Sequence, residues 1–351
     1  MAEYIWQQQG WPYLTWNVKE LSYISGEIRS RQGRLAGKIS LLKDDLKEEL
    51  FLNAVTLDIL KSSELDGIML DEKTVALSVA QQLKLGAVEA EQTDPVVDRI
   101  VRVTADVLLN HDRPLTEARL LDWKKALSVL DTEEATYRTE AGNICSSGYL
   151  QTRDFSQLSD EMNRYVKWFN TAHPVDPTLK AGVAHLRLYL IRPFDKDNGR
   201  IARALTDLLL ARSDNSSQRL YSLSSQICRQ QETYRRVTRK MQNGNPDITE
   251  WLTWFLYCLE TELTETEQSL TRILERLKFR EKYSLISLNE RQVKMIHLLW
   301  EDADVRLTSS YWADVNACSP DTALRDIQDL IRKKILHKQS GGGRSTSYAL
   351  T

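Results

Sequence analysis

The chain has 351 residues, and its 47 lysines and arginines nearly balance its 49 aspartates and glutamates, which leaves a formal net charge of −2. That length exceeds the ~100 to 200 residues typical of one domain, so we expect two or three domains. The near-neutral balance excludes a global attraction to nucleic acid, and any basic surface must be local.

The cysteines and the apolar residues indicate a compartment. Four cysteines are scattered without paired spacing, which predicts free thiols in a reducing environment and neither a disulfide framework nor a zinc site: Cys145, Cys228, Cys258 and Cys318. No apolar run approaches the ~20 residues of a membrane span, and the first residues lack the features of a signal peptide. We therefore expect a cytoplasmic protein without a membrane segment.

An aromatic arm opens the chain, with Trp6, Trp11 and Trp16 inside eleven residues. Apolar residues at helical spacing follow from Val18 through Leu60 and predict a long helical segment. Because tryptophans bury large apolar areas, we expect the arm to dock onto the core of the protein or onto a second subunit.

The most informative segment is Ile191–Arg203, which reads Ile-Arg-Pro-Phe-Asp-Lys-Asp-Asn-Gly-Arg-Ile-Ala-Arg. Apolar residues at helical spacing on both sides make it the connection between two helices. Asn198 and Gly199 suit a turn with free backbone N–H groups, and Arg200 and Arg203 point toward the same face of the second helix. Since N–H groups at the positive end of a helix attract anions, the segment predicts a polyphosphate ligand.

This segment resembles the signature of the Fic family, His-Pro-Phe-x-Asp/Glu-Gly-Asn-Gly-Arg-x-x-Arg. The matching residues are Pro193, Phe194, Asn198, Gly199, Arg200 and Arg203, with Asp195 at the free position. Enzymes of that family usually move AMP from ATP onto a hydroxyl of a target protein, a reaction called AMPylation. The resemblance implies ATP or another nucleotide as ligand, held by Phe194, Asn198, Gly199, Arg200 and Arg203, with Arg203 at the terminal phosphate.

Three positions depart from the signature: Arg192 replaces the catalytic histidine, Lys196 the magnesium-binding carboxylate, and Asp197 a glycine. A guanidinium stays protonated and has no acceptor, so Arg192 cannot take a proton from the attacking hydroxyl. Loss of a general base costs about 10²- to 10⁴-fold in rate, and loss of the metal costs several kcal/mol more. The departures predict very weak AMP transfer and no protein metal site. Alternatively, Lys196 replaces part of the metal's charge while Asp195 or Asp197 acts as base or ligand, so the use of Mg²⁺ stays open.

A second stretch, Lys61–Asp71, resembles the family's inhibitory motif, Ser/Thr-x-x-x-Glu-Gly, through Ser62, Asp66 and Gly67. In the family, the glutamate of this motif pairs with the arginine that matches Arg203. Aspartate is one methylene shorter, so the resemblance implies a weakened brake or one that works through Glu64. The alternative is a helix C-terminus that ends at Gly67, with acidic residues facing water.

The domain organisation follows from these segments. We expect a helical module over 1–93, a mainly helical Fic core over 94–275 and a third domain over 284–351. The irregular stretch over 136–150 lies where the family has a β-hairpin flap that pairs with an extended target segment, but it is shortened and altered. Within the core, we expect His185 to be packed, and Tyr234 either packs or contacts an adenine.

The last seventy residues are similar to a winged helix-turn-helix, a module that usually binds DNA. Three helices, a strand, a Gly-rich turn and a second strand succeed one another from Leu288 onward, with Ser319 as N-cap and Pro320 as the first residue of the third helix. The residues expected to contact DNA are Thr322 and Arg325 in the major groove, and Arg332, Lys333, Lys338 and Arg344 at phosphates. The alternative use of this module is protein contact or dimerisation.

These features predict a mainly α protein: a Fic helical core with a small β-hairpin flap, followed by a winged helix. The preferred function is a bacterial, nucleotide-responsive DNA-binding regulator, a pseudoenzyme with little or no AMPylation activity. A second copy of the chain is among its candidate partners, as a homodimer. The alternatives are an AMP transferase that uses a non-standard base and a scaffold that binds neither ligand.

Overall fold

The computed structural model describes residues 4–86, 93–128, 135–138, 158–283, 286–301, 305–339 and 346–351. The chain divides into two compact units, Met1–Leu270 and Thr271–Thr351. Among the described helices, none combines the length and the apolar character that crossing a bilayer requires.

Helices build the first unit. A short 3-10 helix (Ile5–Gln7) precedes α1 (Val18–Ser40), α2 (Asp44–Leu65), α3 (Glu72–Leu83), α4 (Pro95–Leu109), α5 (Glu117–Leu127), α6 (Leu158–Asn170), α7 (Pro177–Ile191), α8 (Asn198–Asp214), α9 (Leu223–Arg229), α10 (Gln231–Gln242) and α11 (Thr249–Lys282), of which α11 ends in the second unit. The mainly α fold that the sequence predicts is confirmed.

Two helix extents differ from the sequence prediction. The periodic segment from Val18 to Leu60 is two helices, because the chain turns at 41–43 and Asp44 and Asp45 then begin α2, where a helix dipole favours negative charge. In contrast, the amphipathic pattern over Ile248–Leu263 predicts a helix that ends near Leu263, whereas α11 continues to Lys282, since no glycine or proline interrupts it.

The core of the first unit surrounds α7, most of whose residues are buried. Gly182 on α7 allows a close approach of α11, because a Cβ atom at this glycine would lie 2.9 Å from Leu252 Cδ2 and from Phe255 Cδ1. The Trp251 indole donates a 2.9 Å hydrogen bond to the Gly182 carbonyl. This packing holds α7 in place, and the loop that connects it to α8 begins at its end.

The second unit has its own core. It contains α12 (Glu290–Glu301), α13 (Ser309–Asn316) and α14 (Pro320–Arg332), then β1 (Leu336–Lys338) and β2 (Tyr348–Leu350), which pair antiparallel with Leu336 opposite Leu350 and Lys338 opposite Tyr348. The side chains of Trp312, Met295 and Leu307 are fully buried in that core. The order of elements is the one that the sequence predicts, and Ser319 caps α14 as expected.

Several predictions fall outside the described residues or stay undecided. The predicted flap lies mainly over residues 139–150, and the Gly-rich turn with Arg344 lies over 341–345; both stretches are outside the part of the chain that the structure describes. The domain limits at 93, 275 and 284, and the winged-helix class of the last domain, remain predictions.

Candidate functional site

A tight loop connects α7 to α8. The backbone turns through left-handed conformations at Arg192 (φ 48°) and Asp197 (φ 66°). Asn198 closes the loop, because its Oδ1 accepts a 3.0 Å hydrogen bond from the Phe194 N–H and its Nδ2 donates a 2.6 Å bond to the Phe194 carbonyl. The Phe194 ring is fully buried and anchors the loop against Tyr137. Two hydrogen bonds within the loop and the packing of Phe194 on Tyr137 therefore stabilise this turn.

The loop opens directly onto the N-terminus of α8. Asn198, Gly199 and Arg200 are its first residues, and their N–H groups have no acceptor within the helix. A Cβ atom at Gly199 would lie 3.6 Å from Asp66 Oδ1. That distance is an ordinary van der Waals contact, whereas the same Cβ atom would lie 3.2 Å from Arg203 Nη1, so glycine gives room to the guanidinium. The Asp66 carboxylate thus lies beside the positive end of the helix, where negative charge is favoured.

The carboxylate of Asp66 lies between the two arginines of α8. Arg203 Nη2 donates a 2.7 Å hydrogen bond to Asp66 Oδ2, and Arg200 Nε lies 3.2 Å from the same oxygen. Ser62 adds two contacts, since Arg203 Nε donates to its Oγ at 2.7 Å and Nη2 to its carbonyl at 2.8 Å. Burial lowers the pKa of the Arg200 guanidinium and Asp66 opposes that shift. The arginine remains charged throughout.

The end of α2 positions this carboxylate. Asp66 is the C-cap of α2, and Gly67 follows with φ +78°, a left-handed conformation that glycine adopts without strain. The expected alternative, Glu64, instead pairs with Lys61 at 2.7 Å. Aspartate is one methylene shorter than the glutamate of the family motif, but Asp66 still contacts both arginines because α2 brings its backbone close to them.

A small polar cavity lies behind the arginines. Arg200 Nη2 and Ser63 Oγ have no hydrogen-bond partner among the described residues, and both side chains are buried. They line a cavity of ≈20 Å³ together with Asp58 and Asp207. That volume is enough for about one water molecule. Arg200 therefore keeps hydrogen-bonding capacity that Asp66 does not use.

The side chain at the position of the family's base is engaged elsewhere. Arg192 is buried, its guanidinium carbon lies 5.1 Å from the centre of the Tyr189 ring, and its Nη2 donates a 3.4 Å hydrogen bond to the Tyr189 hydroxyl. The Arg138 guanidinium donates to the Arg192 carbonyl at 2.5 Å. These contacts stabilise the loop, but they supply no group that accepts a proton.

The residues present do not fit a magnesium ion. Lys196 is exposed and offers an ammonium where the family has a carboxylate, and a cation repels Mg²⁺. Of the flanking carboxylates, Asp195 is exposed and Asp197 is paired with Lys124 at 3.0 Å. Within the described ranges, no group of three or more His, Cys, Asp or Glu side chains is placed to hold a metal ion.

His185 belongs to the core, as the sequence predicts. Its Nδ1 lies 3.0 Å from Thr206 Oγ1 and its Nε2 lies 3.0 Å from the Tyr234 hydroxyl. Burial, aided by the positive charge of Arg203, lowers the pKa of His185 to about 3. The Tyr234 ring packs against His185 and Trp251 and is buried, which favours the packing role that was one of its two predicted uses.

The predicted DNA-contacting residues of the second unit differ in their surroundings. Arg325 and Lys338 are exposed, whereas Arg332 and Lys333 both form ion pairs with Asp329. Thr322 Oγ1 lies 2.9 Å from Ser319 Oγ in the N-terminal cap of α14.

Sequence reasoning missed two polar contacts. Asp326 on α14 is buried and accepts a 2.7 Å hydrogen bond from Arg291, and Lys124 pairs with Asp197. Neither pair has a local signal in the sequence, because its members are 35 and 73 residues apart.

Comparison with known families gives the class of protein to which this helical fold belongs. Residues 114–210 match the model of the Fic/DOC family, and residues 4–85 match that of a domain of unknown function, DUF4172. The chain contains a Fic family domain over residues 114–210.

Known proteins support this assignment. Over 81 residues the chain is 38% identical to protein adenylyltransferase fic-1 of Caenorhabditis elegans, and the match covers 21% of this chain and 16% of that protein. A Fic family protein from Desulfovibrio desulfuricans G20 has a similar structure, with a TM-score of 0.55, 17% identity and 95% of each chain covered. A Fic domain containing signaling protein from Bacteroides thetaiotaomicron VPI-5482 gives a TM-score of 0.53 at 19% identity, covering 71% of this chain and 98% of that one. Fic-1 itself, over residues 134–508, gives 0.51 at 17% identity and covers 74% and 75%. At these identities the structures show the fold alone.

Proposed function

We propose that this protein is a nucleotide-binding regulator on a Fic fold, with a degenerate active site that transfers AMP slowly or not at all, and that its second unit binds DNA. The observation that carries the proposal is the Asp66 carboxylate, which lies against the start of α8 and contacts both Arg200 and Arg203. A carboxylate held in this way marks a site built for an anion.

The arrangement suits a terminal phosphate better than it suits Asp66. A phosphate group has more acceptor oxygens than a carboxylate and a larger charge, and Arg200 Nη2 has no partner among the described residues. The first N–H groups of α8 supply further donors beside Gly199. Phe194 and Asn198 hold the loop rather than the ligand, so their place in the nucleotide site is to keep these donors in position.

Arg192 and Lys196 limit the chemistry that this site can perform. Neither side chain accepts a proton when charged, and neither is a ligand for Mg²⁺. Lys196 instead brings a positive charge to the loop, so we expect nucleotide binding without metal. ATP is the first nucleotide to test, because the curated relative with 38% identity is named an adenylyltransferase.

The charge distribution supports a DNA-binding role for the second unit. Residues 271–351 contain fourteen lysines and arginines against ten aspartates and glutamates, a formal excess of four positive charges in a chain whose net charge is −2. Exposed Arg325 on α14 and Lys338 on β1 are the residues we propose for contact with the duplex. The proposal places this regulator in a bacterial cytoplasm and includes a homodimer as its DNA-binding form.

Isothermal titration calorimetry with ATP, in EDTA and in Mg²⁺, tests the nucleotide site. Asp66→Ala frees both arginines, so we expect it to bind ATP at least about tenfold more tightly than the unchanged chain, with no requirement for metal. Glu64→Ala is the matched control, because the Glu64 carboxylate interacts with Lys61 and with the Cys228 thiol rather than with either arginine of α8. Absence of ATP binding by the Asp66→Ala chain would contradict the proposal, as would an equal gain from Glu64→Ala.

A second candidate is a working AMP transferase with a non-standard base, and the similarity to protein adenylyltransferase fic-1 favours it. It predicts transfer of label from α-phosphate-labelled ATP to the protein itself, reduced by Arg200→Ala. The regulator instead predicts binding without labelling, together with an ATP-dependent change in the mobility shift of a DNA duplex. A lack of DNA affinity with and without ATP would refute the regulatory part.

A further inference from the structure

Lys124 and Asp197 form an ion pair across the first unit. Lys124 lies in the last turn of α5, and its Nζ lies 3.0 Å from Asp197 Oδ2. The two side chains are mainly shielded from solvent, with exposed fractions of 15% and 18%. A shielded pair is screened less by salt than a surface pair, so it can hold the carboxylate in a defined place.

Asp197 has a backbone conformation that L-residues rarely adopt. It is the N-cap of α8 and has φ +66° and ψ 8°, a left-handed conformation that costs an L-residue about 1 to 2 kcal/mol and that aspartate tolerates better than most. An aspartate at an N-cap usually accepts hydrogen bonds from the first N–H groups of its helix. Here the Asp197 side chain makes no such bond.

The direction of that carboxylate decides whether the helix start is open to a ligand. The N–H groups of the first turn of α8 lie next to Gly199 and the two arginines, where Asp66 already places a carboxylate. An Asp197 carboxylate directed at the same groups would compete for them and repel a phosphate. In the structure the carboxylate pairs with Lys124 and makes no hydrogen bond to these N–H groups.

We propose that Lys124 is a positioning residue of the nucleotide site: it draws the Asp197 carboxylate off the N-terminus of α8 and so leaves the helix donors to the phosphates. The inference rests on the proposed nucleotide-binding function. It gives a physical reason why a phosphate site tolerates aspartate in place of glycine in this loop.

The test measures ATP affinity by calorimetry in EDTA, using full-length chains that carry Asp66→Ala. In that background Lys124→Met releases Asp197, and we expect ATP to bind about tenfold or more weakly, the effect of one misplaced charge near the ligand. Lys124→Arg keeps the cation and retains most of the affinity. Lys125→Met, one residue further along α5 and exposed, is the matched control and leaves affinity unchanged.

The decisive variant is Asp197→Gly combined with Lys124→Met. Glycine adopts φ +66° without strain and has no carboxylate, so the combination restores the affinity that Lys124→Met removes. A purely structural role for Lys124, or direct contact of Lys124 with phosphate, predicts no such rescue. Circular dichroism spectra of all variants establish that each is folded.

Three outcomes overturn the inference in distinguishable ways. Equal ATP affinity of the Lys124→Met and Lys125→Met chains removes the role of Lys124 alone and leaves the nucleotide site intact. Loss of affinity without rescue by Asp197→Gly removes the role of Asp197. Absence of ATP binding in the Asp66→Ala background itself defeats the proposed function and this inference together.

Discussion

The residues that depart from the family signature each have a local environment of their own. Arg192 lies over the Tyr189 ring, Asp197 pairs with Lys124, and Lys196 extends into solvent. A loop under no constraint would have no reason to keep Asn198 bonded to both backbone groups of Phe194. The contacts indicate a loop whose shape is maintained although Arg192 and Lys196 replace the histidine and the carboxylate of the family signature.

His185 makes a pH-dependent prediction at the scale of one residue. Its pKa is lowered to about 3 in the folded chain by burial, against an ordinary value of 6.5. A lowered pKa means that the stabilising contribution is present above pH 6.5 and is lost as the pH falls toward 3, because only the unfolded chain takes up the proton. We therefore expect the free energy of unfolding to fall by roughly 2 kcal/mol between pH 7 and pH 5 because of His185 alone.

Urea unfolding of the wild-type chain and of His185→Gln at pH 7 and pH 5 measures this contribution. Glutamine does not titrate, so the wild-type chain loses more unfolding free energy between the two pH values than the variant does. All other titrating groups are common to both chains and cancel in the difference. Equal losses in the two chains would show that His185 is accessible to protons in the folded state.

At the scale of elements, local signals in the sequence predicted much of the fold. Ser319 before Pro320 begins α14 as expected, since the serine caps the N–H groups of the first turn. Asp176 before Pro177 caps α7 in the same way. The division between α1 and α2 was not predicted, because apolar spacing continues through the turn at 41–43 and masks it.

The site was predictable only where its residues are close in the sequence. Asn198, Gly199, Arg200 and Arg203 form one motif, and the structure brings them together at one helix start. The pairing of Arg203 with Asp66 spans 137 residues and could be expected only through resemblance to the family. Neither a motif nor the family resemblance predicts the pair of Lys124 with Asp197. A single lysine on an amphipathic helix cannot be distinguished in the sequence from a lysine that faces solvent.

The close packing of α7 on α11 predicts the effect of one methyl group. A Cβ atom at Gly182 would lie 2.9 Å from both Leu252 and Phe255, so Gly182→Ala overpacks this contact. Overpacking costs about 1 to 3 kcal/mol, which exceeds the ~1 kcal/mol that alanine gains over glycine in a helix.

Gly33→Ala in α1 is the matched control, because no atom lies within 4 Å of its added Cβ. We therefore expect a lower melting temperature for Gly182→Ala and a slightly higher one for Gly33→Ala than for the unchanged chain. Thermal unfolding followed by the helical circular dichroism signal measures both temperatures. A rise in both variants would mean that α11 can move away from α7 at little cost.

At the scale of the whole molecule, charge is unevenly divided. The excess of four positive charges over residues 271–351 leaves the preceding 270 residues with a formal charge of −6. This division suits the proposed separation of tasks, in which one unit holds a nucleotide and the other approaches DNA. The proposal requires that ligand at α8 and the state of Asp66 on α2 change the DNA affinity of the second unit.

The predicted DNA contacts can be ranked by their surroundings. Arg325 is exposed on α14, whereas Asp329 neutralises part of the charge of Arg332. Arg325→Ala should therefore weaken the binding of a labelled duplex more than Arg332→Ala does. It should also reduce the salt dependence of the affinity by about one phosphate contact.

Fluorescence anisotropy at several salt concentrations measures both quantities on the full chain. An equal, small effect of the two substitutions would favour the other predicted use of the second unit, contact with protein. A larger effect of Arg332→Ala would mean that its pairing with Asp329 opens on the duplex.

The central proposal is a site that binds a nucleotide and has lost the group that takes a proton from the acceptor. Labelling with α-phosphate-labelled ATP tests it in two chains, one with Asp66→Ala alone and one with Asp66→Ala, Arg192→His and Lys196→Asp together. The account predicts that the reverted chain acquires label in the presence of Mg²⁺ at least about 100-fold faster, because base and metal ligand are restored. Equal labelling of the two chains at a substantial rate would contradict it.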